Sequence, residues 1–476
     1  MMKKRKYDRL AFVGWVVFGI LMLTACGGRS DWVREQAPDL PGMDGKPEAM
    51  VKRVKAAHSG VVEGRDPKRA MAELAVIYHA NGFLAEAWQC YGALIELEPS
   101  KAEWHHLLAT IIASYGRLEE AIPLWEDVVR LDPSYAPAHL RLGDIHAKLN
   151  RWDEAKVVFA NMLKHHPDSP YGLMGMGRVA IANEDWQEAR KWLEQARVKS
   201  NDRIGVDLLI MVYERLNMKD MADLLYRTVS WGGYADIPDP WVWTVMEQSF
   251  DASQLSNNGG MVAFSGDMDR GLRMIERAIR LSPDDGMLHY QLGNLLRQIG
   301  RDDAAKAAFT RCTELNPEFS DGWFNLLMIA KKEGNRLEIR SLLESGLLHC
   351  PRSPALLMEQ GRLMMSMGLT DEAIAAYRAS IEVRPNEAAA YVYLAQALFA
   401  LDKMDEGGAQ LRKALDVEPG HMPALLTMTF YAINTQDEAE AAKWLRLVRL
   451  QPRLGPADVA NLEKRFAERF GQALGD

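Results

Sequence analysis

Cysteine is scarce: four residues in a chain of 476. No Cys-x-x-Cys-His occurs, which excludes covalent haem attachment, and no Cys-x-x-Cys pair offers half of a zinc site. His-Glu-x-x-His, a Walker-type glycine loop and Gly-x-Ser-x-Gly are missing as well, so the common hydrolase and phosphate-binding constellations have no foothold. The histidines do not make up the deficit. His105-His106 and His165-His166 are adjacent pairs, and neighbours on a helix diverge by about 100°. His139 and His146 stand two turns apart, too far to share an ion. Neither a metal, a cofactor nor an enzymatic site is expected. Positive charge is also short, with 57 Lys and Arg against 65 Asp and Glu and a net charge of −8. Nucleic-acid binding relies on clustered cations that displace counterions, so that partner class is not expected either. The apolar run Leu10–Ala25 falls short of the roughly 20 residues that span a bilayer.

What that run does have is a basic lead-in, Lys3, Lys4, Arg5, Lys6 and Arg9, and a stop at small residues. This is the pattern of a signal peptide over residues 1–25, to be set aside from the fold. Its end, Leu23-Thr24-Ala25-Cys26, resembles the bacterial lipobox. The resemblance implies cleavage before Cys26 and acylation there with palmitate-type chains, several of which together anchor a protein stably. Gly27 is not the Asp that marks inner-membrane retention in enterobacterial lipoproteins. By analogy, the chain is expected in the bacterial cell envelope, on the outer membrane facing the periplasm. Removing residues 1–25, which carry five basic residues and one acid, takes the net charge from −8 to −12. Residues 26–66 hold Pro38, Pro41 and Pro47 and read as a lipidated, flexible tether with a short helix around Glu48–Ala57. Cys90, Cys312 and Cys350 are expected to be unpaired buried residues, since helix spacing keeps them beyond disulfide reach.

From residue 67 a spacing of 34 residues governs the chain. Segments beginning at Lys68, Ala102, Ala136 and Pro170 carry Ala75, Ala109, Gly143 and Gly177 at the eighth place, and Ala87, Ala121, Ala155 and Ala189 at the twentieth. The pattern returns from Gly286, Ser320, Pro354 and Ala388, with Pro317, Pro351, Pro385 and Pro419 closing each unit. Small residues at these places let two helices approach, and large ones at place 24 (Tyr91, Trp125, Phe159, Phe309, Tyr377) fill the space between them. Gly82, Gly116, Gly300 and Gly368 sit where a left-handed residue ends the first helix of a pair. The period and the small-residue places resemble the tetratricopeptide repeat. That resemblance implies an all-α, right-handed solenoid. Eleven helix pairs are expected, starting near Lys68, Ala102, Ala136, Pro170, Arg203, Pro238, Gly286, Ser320, Pro354, Ala388 and Met422. A final amphipathic helix, Pro456–Leu474, with Val459, Leu462, Phe466 and Phe470 in one stripe, caps the array. The domains read as 67–236, an N-terminal array; 237–285, an interrupted repeat; 286–453, a C-terminal array; and 454–476, the cap.

The sixth unit breaks the period by about fifteen residues. Its first helix is expected at Pro238–Gln248, bearing Trp241 and Trp243, and its second at Met268–Leu281, with a loop Ser249–Gly260 that contains Phe250 between them. The upstream turn Trp231-Gly232-Gly233-Tyr234 is also irregular. Insertions in repeat arrays often map to the binding face, yet a surface loop is also cheap to tolerate. Asp236 and Asp239 read as helix caps rather than an acid/base pair. The family resemblance further implies that first helices line a concave groove for peptides or helices. Mapped here, its places include Arg178, Met211, Arg215, Asn294, Arg297, Phe324, Met328, Arg362, Met365 and Phe430. The mixture of arginine, amide and soft apolar residues suits an extended acidic partner, unless the arginines pair with acids of neighbouring repeats. The expected role is a membrane-anchored periplasmic adapter for protein or peptide partners, in envelope assembly, export or secretion. The alternative is a polysaccharide-binding accessory of an export machine.

Overall fold

The computed structural model describes residues 28–200, 202–228, 236–449 and 456–471. The expected signal peptide, Cys26, the Trp231–Tyr234 stretch and the last residues of the expected cap lie outside them. Twenty-six helices are described and no strand among the described residues. None of these helices is long and apolar enough to cross a membrane. The chain divides into two compact units, Met1–Pro283 and Asp284–Asp476.

The first unit opens with α1 (Gly28–Glu35) and α2 (Glu48–Val62). Five helix pairs follow: α3/α4 (Pro67–Ala80, Leu84–Leu97), α5/α6 (Ala102–Ser114, Leu118–Leu131), α7/α8 (Ala136–Lys148, Trp152–His165), α9/α10 (Pro170–Ala182, Trp186–Lys199) and α11/α12 (Arg203–Arg215, Lys219–Thr228). A short helix α13 (Pro240–Met246) interrupts them, and α14/α15 (Ala252–Phe264, Met268–Leu281) close the unit. The second unit holds α16/α17 (Gly286–Gln298, Asp302–Leu315), α18/α19 (Ser320–Glu333, Arg336–His349), α20/α21 (Pro354–Ser366, Thr370–Val383), α22/α23 (Ala388–Ala400, Met404–Val417) and α24/α25 (Met422–Asn434, Glu438–Arg449). Its last helix is α26 (Pro456–Phe470). The helix pairs number eleven, as the 34-residue period predicts.

Steric fit explains the pairing. An added Cβ at Gly143 would meet the Phe159 ring at 2.5 Å, and at Gly361 it would meet Tyr377 at 2.4 Å. Phe159 and Tyr377 are themselves fully buried, so the small residue at place 8 is the slot for the large one at place 24. The turn within each pair recurs just as regularly. Gly82, Gly116, Asn150 and Glu184, and again Gly300, Gly334, Gly368, Asp402 and Gln436, are spaced by 34 within each run and all have φ between 57° and 81°. Glycine marks only some of these turns, so the sequence announces them incompletely. A further device closes the units. His105 Nε2, His139 Nε2, Trp323 Nε1 and Tyr391 OH each donate to the carbonyl of the proline six residues earlier, at 2.8–3.0 Å. Each bond satisfies a carbonyl left over where the preceding helix ends.

Three expectations need correcting. Residues 28–66 are not a free tether. Val33, Met50, Val54 and Val61 are buried in one cluster with Met71 and Leu74 of α3. The predicted short helix runs on to Val62, because Met50, Val54, Ala57 and Val61 form an apolar stripe that covers the open end of the first pair. Second, the expected loop Ser249–Gly260 is largely helix. Asp251 caps α14, accepting from Gln254 N at 2.8 Å. Leu255, Gly259, Val262 and Ala263 are buried, and a Cβ added at Gly259 would stand 2.9 Å from the Gly271 carbonyl oxygen on α15. The Ser, Asn and Gly content that suggests a loop serves close helix packing. The sixth pair is therefore α14/α15, and α13 is the inserted element. Third, α13 is shorter than the predicted Pro238–Gln248. Cys90, Cys312 and Cys350 are free and buried, and α26 buries Leu462 and Phe466 against Ala441 and Leu445.

Candidate functional site

The inserted segment does not loop into solvent. It lies along α3, α5 and α7, the first helices of the first three pairs, and is clasped from the other side by α15. Asp239 organises it. As the cap of α13 it accepts from Val242 N at 3.2 Å. Its carboxylate is buried and accepts twice more, from His106 Nε2 at 2.9 Å and from Tyr135 OH at 2.5 Å. Trp125 Nε1 donates to His106 Nδ1 at 3.1 Å. That bond fixes the tautomer: Nδ1 must accept, so Nε2 carries the proton offered to Asp239. The Trp241 ring stacks on Tyr135 at 3.6 Å with planes 16° apart, and meets His106 edge-on at 5.6 Å.

On the upstream side Asp236 pairs with Arg141 at 2.6 Å, and Ile237 is buried in one cluster with Leu140. Downstream, Asn81 holds the main chain at two points. Its Nδ2 donates to Gln248 O at 3.1 Å, and its Oδ1 accepts from Phe250 N at 2.9 Å. Val245 joins the core cluster of the first pairs. From α15, Arg270 pairs with Glu247 at 3.0 Å and covers the Trp243 ring at 5.8 Å, while Arg277 covers Phe250 at 5.1 Å.

The charges fit this arrangement. Burial alone raises the Asp239 carboxyl, but the donors His106, Tyr135 and Val242 outweigh it and hold the group below the ordinary aspartate range. Burial and the Asp239 charge push the Tyr135 phenol well up, so it remains a donor. Burial disfavours the Arg141 cation, yet Asp236 more than compensates. Burial first, and His106 second, push His79 down to about 4. Among the described residues no group of His, Cys, Asp and Glu is placed to hold a metal ion.

The sequence-derived residues distribute unevenly. Trp241, Trp243 and Phe250 all belong to the clasped segment. Asp239 is the expected cap and also the hub of the network. Arg178 pairs with Asp144 of the preceding repeat at 2.5 Å, and Arg215 stands 5.5 Å over Trp186. Met211 is half-buried on α11. In the second unit Arg297 is exposed, and Asn294, Phe324, Met328 and Met365 are half-buried on first helices. Arg362 pairs with Glu359 at 3.0 Å and lies 5.5 Å over Tyr393. For Arg178 and Arg362 the pairing with neighbouring acids is what the structure has. Phe430 is taken from the expected groove set: Arg465 of α26 covers it at 5.1 Å, and it packs into the terminal cluster. Tyr135, Arg141 and Asn81 escaped sequence reasoning, and His106 was weighed only as a metal ligand. The signal available was His106 at the fifth place of its repeat, a groove place.

Comparisons with known proteins bear on the repeats. Profiles of the tetratricopeptide repeat match residues 72–136 and 358–420, 113–172, and 288–319. The chain is built of tetratricopeptide repeats. BBSome complex member bbs-4 of Caenorhabditis elegans is 24% identical over 199 residues, 40% of this chain and 43% of that protein. Protein O-mannosyl-transferase TMTC1 of Homo sapiens is 22% identical over 199 residues, 41% of this chain and 22% of that protein. The matched stretch thus spans less than half the length of either relative. Yeast Tom70 superposes with a TM-score of 0.38 at 15% identity, over 86% of this chain and 97% of that one.

Proposed function

We propose that this tetratricopeptide chain is a non-catalytic scaffold that binds protein or peptide partners on the faces of its first helices. It is held to a bacterial envelope membrane by a lipid on Cys26, and it serves envelope assembly, export or secretion. The fold class is one that serves protein–protein interaction. The observation that carries the reading is the first unit's own behaviour. Its first-helix face grips a segment of different secondary structure through side-chain hydrogen bonds, an ion pair and ring stacking, which are the means by which such a face selects a ligand. In the second unit the corresponding face carries exposed Arg297 and half-buried Phe324, Met328 and Met365. Soft apolar side chains beside guanidinium groups fit an amphipathic acidic segment.

The test is in-cell crosslinking read by mass spectrometry, with the native chain beside Arg297→Glu/Arg362→Glu and Cys26→Ala variants. The reading expects a defined set of envelope proteins. They should be lost on charge reversal, and the chain should leave the membrane fraction, with no palmitate label, in Cys26→Ala. Partners unchanged by charge reversal would remove the second-unit face as the binding site. A glycan-array signal with no protein partner would move the polysaccharide role forward.

A further inference from the structure

The segment Asp236-Ile237-Pro238-Asp239-Pro240-Trp241 sits on its face as a ligand would. Residues 236–239 have no regular secondary structure. Pro238 and Pro240 restrict the chain before docking, so little entropy is lost when it seats. Each anchor then meets a chemically matched partner from the second or third helix pair: Asp236 meets Arg141 at 2.6 Å, Asp239 meets His106 and Tyr135 at 2.9 and 2.5 Å, and Trp241 stacks on Tyr135 at 3.6 Å. Apolar packing alone would accept many sequences. A buried carboxylate facing two donors, one of them fixed as a donor by Trp125, accepts few. Asn81 adds a sequence-independent grip on the main chain farther along.

We propose that the first unit's first-helix face is a recognition site for extended acidic–aromatic peptides of the pattern Asp-x-x-Asp-Pro-Trp, and that residues 236–241 are its built-in occupant. A peptide of the same chemistry on another protein competes for the site. The occupant is covalently linked and enjoys an effective concentration in the millimolar range. The apparent affinity for a competitor is therefore reduced by the fraction of molecules in which the face is open. The inference rests on the reading that first-helix faces are recognition surfaces, but it concerns the first unit alone.

The probe is a fluorescein-labelled peptide of residues 236–243, Asp-Ile-Pro-Asp-Pro-Trp-Val-Trp, titrated by anisotropy against the full chain. In an Asp236→Ala/Trp241→Ala variant the occupant is weakened. Binding there is expected to be at least about 10-fold tighter than to the native chain. It is expected to vanish when Tyr135→Phe and His106→Gln are added, and to be absent for a scrambled peptide. No saturable binding to a vacated variant of native helicity would overturn the proposal, as would binding indifferent to His106 and Tyr135. Should the double variant not fold, Asp236→Asn alone loosens only the half-exposed Arg141 end, and the same ordering of affinities must hold. Failure here with Arg297/Arg362-dependent partner capture intact removes this inference alone. Loss of that capture with the peptide still bound removes only the partner reading of the second unit.

Discussion

Replacing Asp239 by Asn separates the network from the helix cap. Asn is as good an N-cap as Asp, so the bond from Val242 N and the start of α13 survive the change. What does not survive is the match to His106. The carboxylate offers two acceptor oxygens to three donors; the amide offers one oxygen and an NH2 group. With Oδ1 serving Val242 and Tyr135, the NH2 faces an Nε2–H that the Trp125 bond holds in place. Either two donors confront each other, or the imidazole changes tautomer and gives up Trp125. A bond to a charged group contributes about 1.5–3 kcal/mol, and a stranded buried donor costs about 1–3 kcal/mol. A local destabilisation of about 2–4 kcal/mol is the expected total. A helical array need not unfold in two states, so the assay is native-state hydrogen exchange at the α13 amides, including Trp243 and Glu247. At about 1.4 kcal/mol per decade, they exchange roughly 30- to 1000-fold faster in the variant, while amides of the second unit stay unchanged. A cycle with His106→Gln is expected to show coupling of at least about 0.5 kcal/mol. Unchanged α13 exchange, or no coupling, refutes the network as described.

Other expectations follow from the same packing and charges. Gly361→Ala places a Cβ 2.4 Å from buried Tyr377 and costs about 1–3 kcal/mol despite alanine's better helix propensity. Gly92→Ala, with nothing within 4 Å, stabilises by about 0.5–1 kcal/mol, and urea midpoints of the pair must move in opposite directions. The first unit loses stability on acidification. His79 binds its proton only near 4, against 6.5 when unfolded, so stability falls as pH drops from 6.5 through 4. Asp239, held below the ordinary 3.8, adds stability above that value that is lost as pH falls through its folded one. A urea midpoint that is flat or rising on acidification, or a slope unaffected by His79→Gln, contradicts this. The thiols of Cys90, Cys312 and Cys350 are buried, and burial pushes Cys312 up to about 11. Ellman's reagent is expected to leave all three unmodified until denaturant is added; fast labelling of any one in the native chain refutes its burial.

Much of the fold was legible because it is written repeatedly. One missing or atypical residue is outvoted by ten other repeats, which is why Asn150 or Gln436 can replace glycine at a turn without obscuring the pattern. Ten of the eleven pairs, the capping helix and the unpaired cysteines could be read from spacing and periodicity. The interrupted repeat had no second copy to vote with it. There, Ser256-Asn257-Asn258-Gly259-Gly260 was read by composition as a loop, whereas Gly259 is required by a backbone contact with Gly271. The site was less legible still. Trp241, Trp243, Phe250 and Asp239 drew attention because they lie in the irregular stretch. Their partners His106 and Tyr135 lie 133 and 104 residues away from Asp239, and no local pattern links positions that far apart. For Arg178 and Arg362 the sequence left two readings open, a free groove place or pairing with an acid, and the structure has them paired with Asp144 and Glu359.

The most direct test of the self-occupied face is a photocrosslinker, p-benzoylphenylalanine, placed at position 241 of the full chain and irradiated at high dilution. The structure places Trp241 on Tyr135 and beside His106. Intramolecular links mapping to α5 and the start of α7 are therefore the expected result, and Asp239→Asn is expected to reduce them. Links only to residues outside 102–148, or links only between two copies of the chain, would contradict it.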